Sequence, residues 1–317
     1  MDRIRRVPVL LVALVLAMTV TMAPSLAVSA PAGADAYTYI ERLAVMSRIA
    51  GAASELGAAG MIEGWFDDAG YSTGMQPFTY PSGNKTRYSQ NVVAYLPATS
   101  GAPDAPLVIV GAHYDSAVAG NGADDNGSGV GCMVEIAEAV ATYERDYDIA
   151  FVAFGAEEVG LKGSFYYASQ MSAADKARTI AMINFDSLIV GDKLYIHAGF
   201  NEKTGPRDAM LEIIDDLGLP IEVQPGLNEH YPRGLTPDWF SDYTAFNRAE
   251  IPIVAFESTN WEIGDLDGYV ETAKYGSFWH TGKDKLKTIE QRYPGRPMER
   301  LAAYTTLVET YLDELTP

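Results

Sequence analysis

Cysteine is nearly absent from this chain of 317 residues and occurs once, at Cys132. One thiol cannot close an internal disulfide, so the fold must rest on its core. Cys132 falls in an apolar helical pattern and reads as a small buried side chain rather than a nucleophile. Positive charge is scarce too, with 23 Lys and Arg against 42 Asp and Glu and a net charge of −19. Such a surface repels phosphate backbones and anionic lipid, which argues against nucleic acid as a partner.

Long apolar runs are also lacking. The run at 7–20 falls short of the roughly 20 residues that a spanning helix needs. It follows Arg3, Arg5 and Arg6 and gives way to small residues, the pattern of a secretory signal. Two sites fit the small-x-small rule, Ser25-Leu-Ala27 and Ala32-Gly-Ala34. The second is preferred because Asp35 then opens the mature chain. The reading is a signal peptide over 1–34 and one large domain over 35–317, exported to a periplasm or secreted, with no stable membrane association after cleavage. Oligomeric state is left open.

What the chain does have is alternation. Apolar residues at helical spacing predict helices over 37–49, 52–69, 130–144, 165–171, 207–217 and 297–315. Runs at 107–112 and 149–154 are apolar throughout, as in strands covered on both faces. Further strands are expected at 91–96, 179–185, 193–197 and 251–256, with polar, turn-rich sequence before the first of them. The fold class is therefore α/β, a single-domain three-layer sandwich with a mixed, largely parallel sheet between helices. Loops 224–237 and 258–279 are long enough to be functional or mobile.

In such a sheet, ligands gather beyond the carboxyl ends of the strands. His113 and Asp115 end one apolar run, Glu157 and Glu158 follow another, Asp186 ends a third, and Asp125 stands before a glycine-rich helix start. Residues i and i+2 of an extended chain share a face, so Asp115 can accept the second ring N–H of His113 and leave the other nitrogen free for a metal. Five carboxylates in one cleft repel one another by roughly 4 kcal/mol per close pair. Divalent cations relieve that, and His with carboxylate ligands suits zinc. Taken alone, Asp124-Asp125-Asn126-Gly127 also reads as a calcium loop, although an EF-hand's spacing and terminal Glu are absent.

Gly111-Ala-His-Tyr-Asp-Ser116, Gly122-Ala-Asp-Asp-Asn-Gly-Ser-Gly129, Ala156-Glu-Glu-Val-Gly160, Asn184-Phe-Asp186 and Trp279-His-Thr-Gly-Lys-Asp284 together resemble the motifs of dinuclear-zinc aminopeptidases of the bacterial leucyl aminopeptidase type. The resemblance implies the zinc exopeptidase fold and two Zn2+ ions. Asp125 would bridge the ions, with His113 and Asp186 completing one site and Glu158 and His280 the other. It further implies Glu157 as general base toward a metal-activated water, Asp115 in support, peptide or protein N-termini as substrate, and a cis peptide between Asp125 and Asn126. Segments 184–195, 225–234 and 259–269 are similar to a periplasmic branch of that family that trims N-terminal arginine.

That branch suggests a preference for basic N-terminal residues. Glu262, Asp265 and Asp267 would serve it, or would simply solvate a loop. Some relatives stabilise the oxyanion with a tyrosine where Asp238 stands here, leaving Tyr231 and Tyr243 as substitutes or as packing residues. His197 reads as structural and His230 as a cleft residue. Two other functions compete: a glutaminyl cyclase-like acyltransferase with one zinc, and a peptidase-like binding domain without catalysis.

Overall fold

The segment Leu107–His113 carries no polar side chain before its last residue, and all seven positions are buried. Alternate residues leave it in opposite directions. Val108, Val110 and Ala112 join one hydrophobic cluster, while Leu107 and Ile109 join another. A strand of this kind must lie inside a sheet with helices on both faces.

The computed structural model describes residues 30–315, so most of the expected signal segment lies outside the described residues. No described helix is long and apolar enough to cross a membrane. In chain order the elements are α1 (Ala34–Leu43), α2 (Ala53–Asp68), β1 (Ser72–Ser82), β2 (Lys85–Leu96), β3 (Leu107–His113), α3 (Gly127–Val140), β4 (Asp148–Phe154), α4 (Lys162–Gln170) and α5 (Ala173–Arg178). There follow β5 (Thr179–Phe185), β6 (Lys193–Ala198), α6 (Gly205–Leu217), β7 (Ile221–Glu222), α7 (Tyr243–Arg248), β8 (Ile253–Thr259), α8 (Leu286–Arg292) and α9 (Arg296–Glu314).

The strands form one sheet in the order β1-β2-β4-β3-β5-β8-β6-β7. Strands β4, β3, β5 and β8 are neighbours and run parallel. Their carboxyl ends therefore open on one edge. Helices α1, α2, α3, α6 and α9 cover one face with the larger cluster, and α4 and α7 cover the other. This is the expected α/β sandwich, with the sheet mixed because β1, β2 and β6 join antiparallel.

Three boundaries differ from expectation for identifiable reasons. Helix α1 ends at Leu43 instead of continuing to 49, and Met46 is 57% exposed. Beyond that end the chain turns so that the Arg48 N–H donates to Ser116 Oγ at 2.9 Å and Ser47 Oγ donates to the Gly120 carbonyl at 2.6 Å. The polar stretch before Asn91 is a long hairpin rather than a loop. It turns through Gly83, whose φ of 61° favours glycine, and Ser82 pairs with Lys85. Pro77 and Pro81 hide β1 in the sequence, but β1 is an edge strand, where proline is tolerated. Finally, β8 runs on to Thr259, past the apolar run that ends at Phe256.

Candidate metal centre

Buried strand β3 delivers His113 to the open edge of the sheet, and the loop after it must return Asp125 to the same place. Two charged side chains shape that loop. Arg48, 1% exposed, donates to the carbonyls of Tyr114 at 2.6 Å, Asn121 at 2.8 Å and Gly122 at 2.7 Å. From the other side, Asp284 Oδ1 accepts the N–H groups of Ala123 at 2.9 Å and Asp124 at 2.7 Å, and Oδ2 that of Asp125 at 3.3 Å. Asn126 then caps α3 by accepting the Gly129 N–H at 2.9 Å. The peptide between Asp125 and Asn126 is cis.

This places Asp125 between two histidines. His113 Nε2 lies 3.2 Å from its Oδ1, and His280 Nε2 lies 3.3 Å from its Oδ2. His113 Nε2 also lies 3.6 Å from Asp186 Oδ1 and 4.0 Å from Glu157 Oε2. His280 Nε2 lies 2.8 Å from Glu158 Oε2. The donor atoms fall into two groups, His113 with Glu157 and Asp186, and Asp125 with Glu158 and His280.

Proton affinities across the site report its negative charge. Burial opposes the charged form of His113, yet Glu157 and Asp186 hold its pKa well above the ordinary histidine value. Hydrogen bonds donated to Asp125 and Glu158 push His280 up to about 11. Burial, with Asp125 next, raises Glu158 to about 7. Burial works to raise Asp125 as well, but its contacts with the two histidines hold it below the usual carboxylate range. Such a cluster takes up cations, whether protons or metals. Glu158 Oε1 is buried with no hydrogen-bond partner, an acceptor free for an ion. Imidazole and carboxylate donors in two groups fit divalent zinc.

The centre opens into a cavity of about 320 Å³. Trp239, Phe240, Tyr269 and Trp279 stand along it, with Tyr269 and Trp279 rings 4.7 Å apart.

Comparison with known proteins places this geometry. Residues 91–305 match Peptidase family M28. The chain belongs to that family. Over 278 residues it is 31% identical to the alkaline phosphatase isozyme conversion protein of Escherichia coli (strain K12), covering 78% of this chain and 80% of that one. It is 30% identical over 210 residues to an aminopeptidase of Bacillus subtilis (strain 168), covering 64% of this chain but only 41% of that relative's own length. Among solved structures, a zinc aminopeptidase from Bacillus subtilis superposes with a TM-score of 0.75 at 18% identity, covering 91% of this chain and 97% of that one. A glutaminyl cyclase from Porphyromonas gingivalis superposes with a TM-score of 0.69 at 22% identity, covering 90% and 98%. Family and relatives together make this M28 chain a hydrolase of the metallo-aminopeptidase class, as its motifs imply.

The structure brings His113, Asp125, Glu157, Glu158, Asp186 and His280 close to one another, with Glu157 beside His113 and Asp186. Asp115 sits beside His113, but its carboxylate is not the ring's nearest acceptor as expected. The nearest acceptor to His113 Nδ1 is the Asp115 main-chain carbonyl at 3.2 Å, with the carboxylate at 3.7 Å. That carboxylate instead accepts the N–H groups of Glu157 at 2.9 Å and Glu158 at 3.2 Å.

Of the substrate-binding candidates, Tyr243 lines the cavity, but its hydroxyl donates to the Pro237 carbonyl at 2.9 Å. Tyr231 packs against Trp261, ring centroids 5.4 Å apart, and is not among the lining residues. Glu262 is exposed, lies outside the cavity and pairs with Lys193 at 2.6 Å. His230 is exposed and does not line the cavity, whereas buried His197 does.

Sequence reasoning missed the support residues. Besides Arg48, these include Ser241, whose Oγ donates to Asp186 Oδ2 at 2.7 Å and accepts from Asn184 Nδ2 at 3.0 Å. Lone arginines and serines carry no sequence signal of such a role. Asp284 had one, its place in the Trp279–Asp284 motif.

Proposed function

We propose that this chain is an exported zinc aminopeptidase that removes the first residue of peptides or proteins, with a preference for basic residues. One observation carries the reading: Asp125 offers one oxygen to each of two histidines, and each histidine has its own carboxylates. On this reading Asp125 would serve both metals, with His113 and Asp186 to hold one and Glu158 and His280 to hold the other. When bound, the two zinc ions supply Lewis acidity toward a water and toward the scissile carbonyl.

The chain's own residues do the rest. Glu157 receives a proton from the attacking water on its carboxylate and delivers it to the leaving amine. Asp115 fixes the turn that carries Glu157 and Glu158. The cavity lining contains acids but neither Lys nor Arg, which suits a cationic α-amino group. Export rests on Arg3, Arg5, Arg6 and the apolar run after them, and N-terminal sequencing of exported protein should begin at Asp35.

The deciding experiment is hydrolysis of a panel of aminoacyl amides with N-acetylated controls, before and after chelation and zinc repletion. Cleavage should need a free amine and disappear with the metal. Equal cleavage of acetylated amides would overturn the exopeptidase reading. The glutaminyl cyclase fold match supports a second reading. It would prevail if one zinc per chain sufficed and N-terminal glutamine were cyclised. A binding domain without catalysis falls if any amide is hydrolysed in a chelator-sensitive way.

A further inference from the structure

The last part of β8 carries a carboxylate that the metal centre does not use. Phe256 accepts the Asp186 N–H at 3.1 Å, and Glu257 follows it on the cavity wall. Glu257 Oε1 accepts hydrogen bonds from His197 Nε2 at 2.9 Å and Trp261 Nε1 at 2.6 Å. Both donors can be neutral, so they fix the side chain without cancelling its charge. Among the described residues no donor reaches Oε2, and no Lys or Arg pairs with Glu257. The side chain keeps 27% of its surface exposed.

The other acids along the cavity are engaged. Asp125, Glu157 and Asp186 belong to the metal groups. Asp238 pairs with Arg248 at 2.7 Å, and Glu271 accepts the N–H groups of Phe278 and Trp279 on Oε2, while its unpartnered Oε1 is buried, unlike the partly exposed Glu257. Glu257 is therefore a lining carboxylate with an open oxygen, in a cavity that aromatic rings also line. An accessible carboxylate in a cavity with aromatic lining fits a side chain that has an apolar stem and a cationic head.

We propose that Glu257 determines specificity for the substrate's first side chain and selects arginine or lysine by pairing with its guanidinium or ammonium group. The proposal rests on the aminopeptidase reading and assigns the basic preference to Glu257 rather than to the exposed Glu262.

The test compares kcat/KM for arginyl and citrullyl amides, a charged and a neutral side chain of nearly equal shape, in the wild-type protein, E257Q and E262Q. The wild type should favour arginyl, and E257Q should lower the arginyl-to-citrullyl ratio on the order of 10- to 100-fold. E262Q should keep the wild-type ratio. An unchanged ratio in E257Q, or a ratio that falls only in E262Q, overturns the assignment. A binding arm separates this outcome from failure of the aminopeptidase reading. Free L-arginine should raise the unfolding temperature of the wild type more than L-norleucine does, and E257Q should lose that difference while melting cooperatively. If no amide is cleaved but this pattern holds, the subsite stands and the hydrolytic reading falls. Equal stabilisation by the two amino acids sinks the subsite.

Discussion

Asp115, just beyond β3, accepts the main-chain N–H of Glu157 at 2.9 Å. A buried carboxylate at the end of one strand thus positions the turn that follows its neighbour. Replacing Asp115 with Ala leaves the amides of Glu157 and Glu158 without their acceptor, at a cost of about 1–3 kcal/mol. Zinc affinity should fall roughly 10- to 100-fold as the turn loosens. D115N, which keeps one acceptor oxygen, should lose less on both counts. Zinc titration and urea unfolding read the two effects, and wild-type zinc affinity in D115A would refute the positioning role.

Glu157 groups with His113 and Asp186 by distance, so its role as base rather than ligand needs a direct test. Glu157→Gln should lower kcat by about 100- to 10,000-fold while zinc stays at the wild-type content, which the proposed reading puts at two per chain. Metal analysis after exhaustive dialysis decides. Loss of zinc along with activity would make Glu157 a ligand.

Arg48 donates to three loop carbonyls that lie deep in the structure. Arg48→Met removes every one of those donors, and each stranded acceptor costs about 1–3 kcal/mol. Since 1 kcal/mol moves the midpoint of a large domain by about 2–4 °C, thermal unfolding should drop by several degrees or more. Arg48→Lys should fall between, because an ammonium reaches fewer carbonyls than a guanidinium. A midpoint equal to wild type in R48M would show that the loop holds itself.

Glu309 of α9 lies near enough to Glu135 of α3 to feel its charge. Burial and then Glu135 raise the Glu309 pKa to about 7, above the unfolded value of 4.5. The folded state therefore binds the proton more tightly. Stability from this group is fully present below the unfolded pKa and is lost as pH rises through about 7. Glu309 is only half-buried, so solvent screening keeps the effect small. Glu309→Gln should flatten the decline between about pH 5 and pH 8 by on the order of 2 °C. Thermal unfolding across that range at constant zinc tests it, and parallel curves would remove Glu309 from the account.

The central strands and the candidate residues at their ends were legible because a fully buried parallel strand must be apolar along its length, and a charged residue at its end then stands out. His113, Asp186 and the Glu157–Glu158 pair all follow such runs. Strand β1 was not legible, since its prolines obey edge-strand rules that only the sheet reveals. Glu257 was hidden for the opposite reason: its polarity looked like the end of β8, when β8 in fact continues to present it to the cavity. Arg48 and Ser241 act through main-chain and long-range contacts that have no local pattern.

The groups around Asp125 come from three neighbouring strand ends and from a segment that lies beyond the last strand. Synthesis runs from N- to C-terminus, so His280 emerges after every other member of the set. A growing chain can bury most of the sheet and still lack one side of Asp125. A chain that stops before His280 therefore lacks a member of the centre however well its strands have paired.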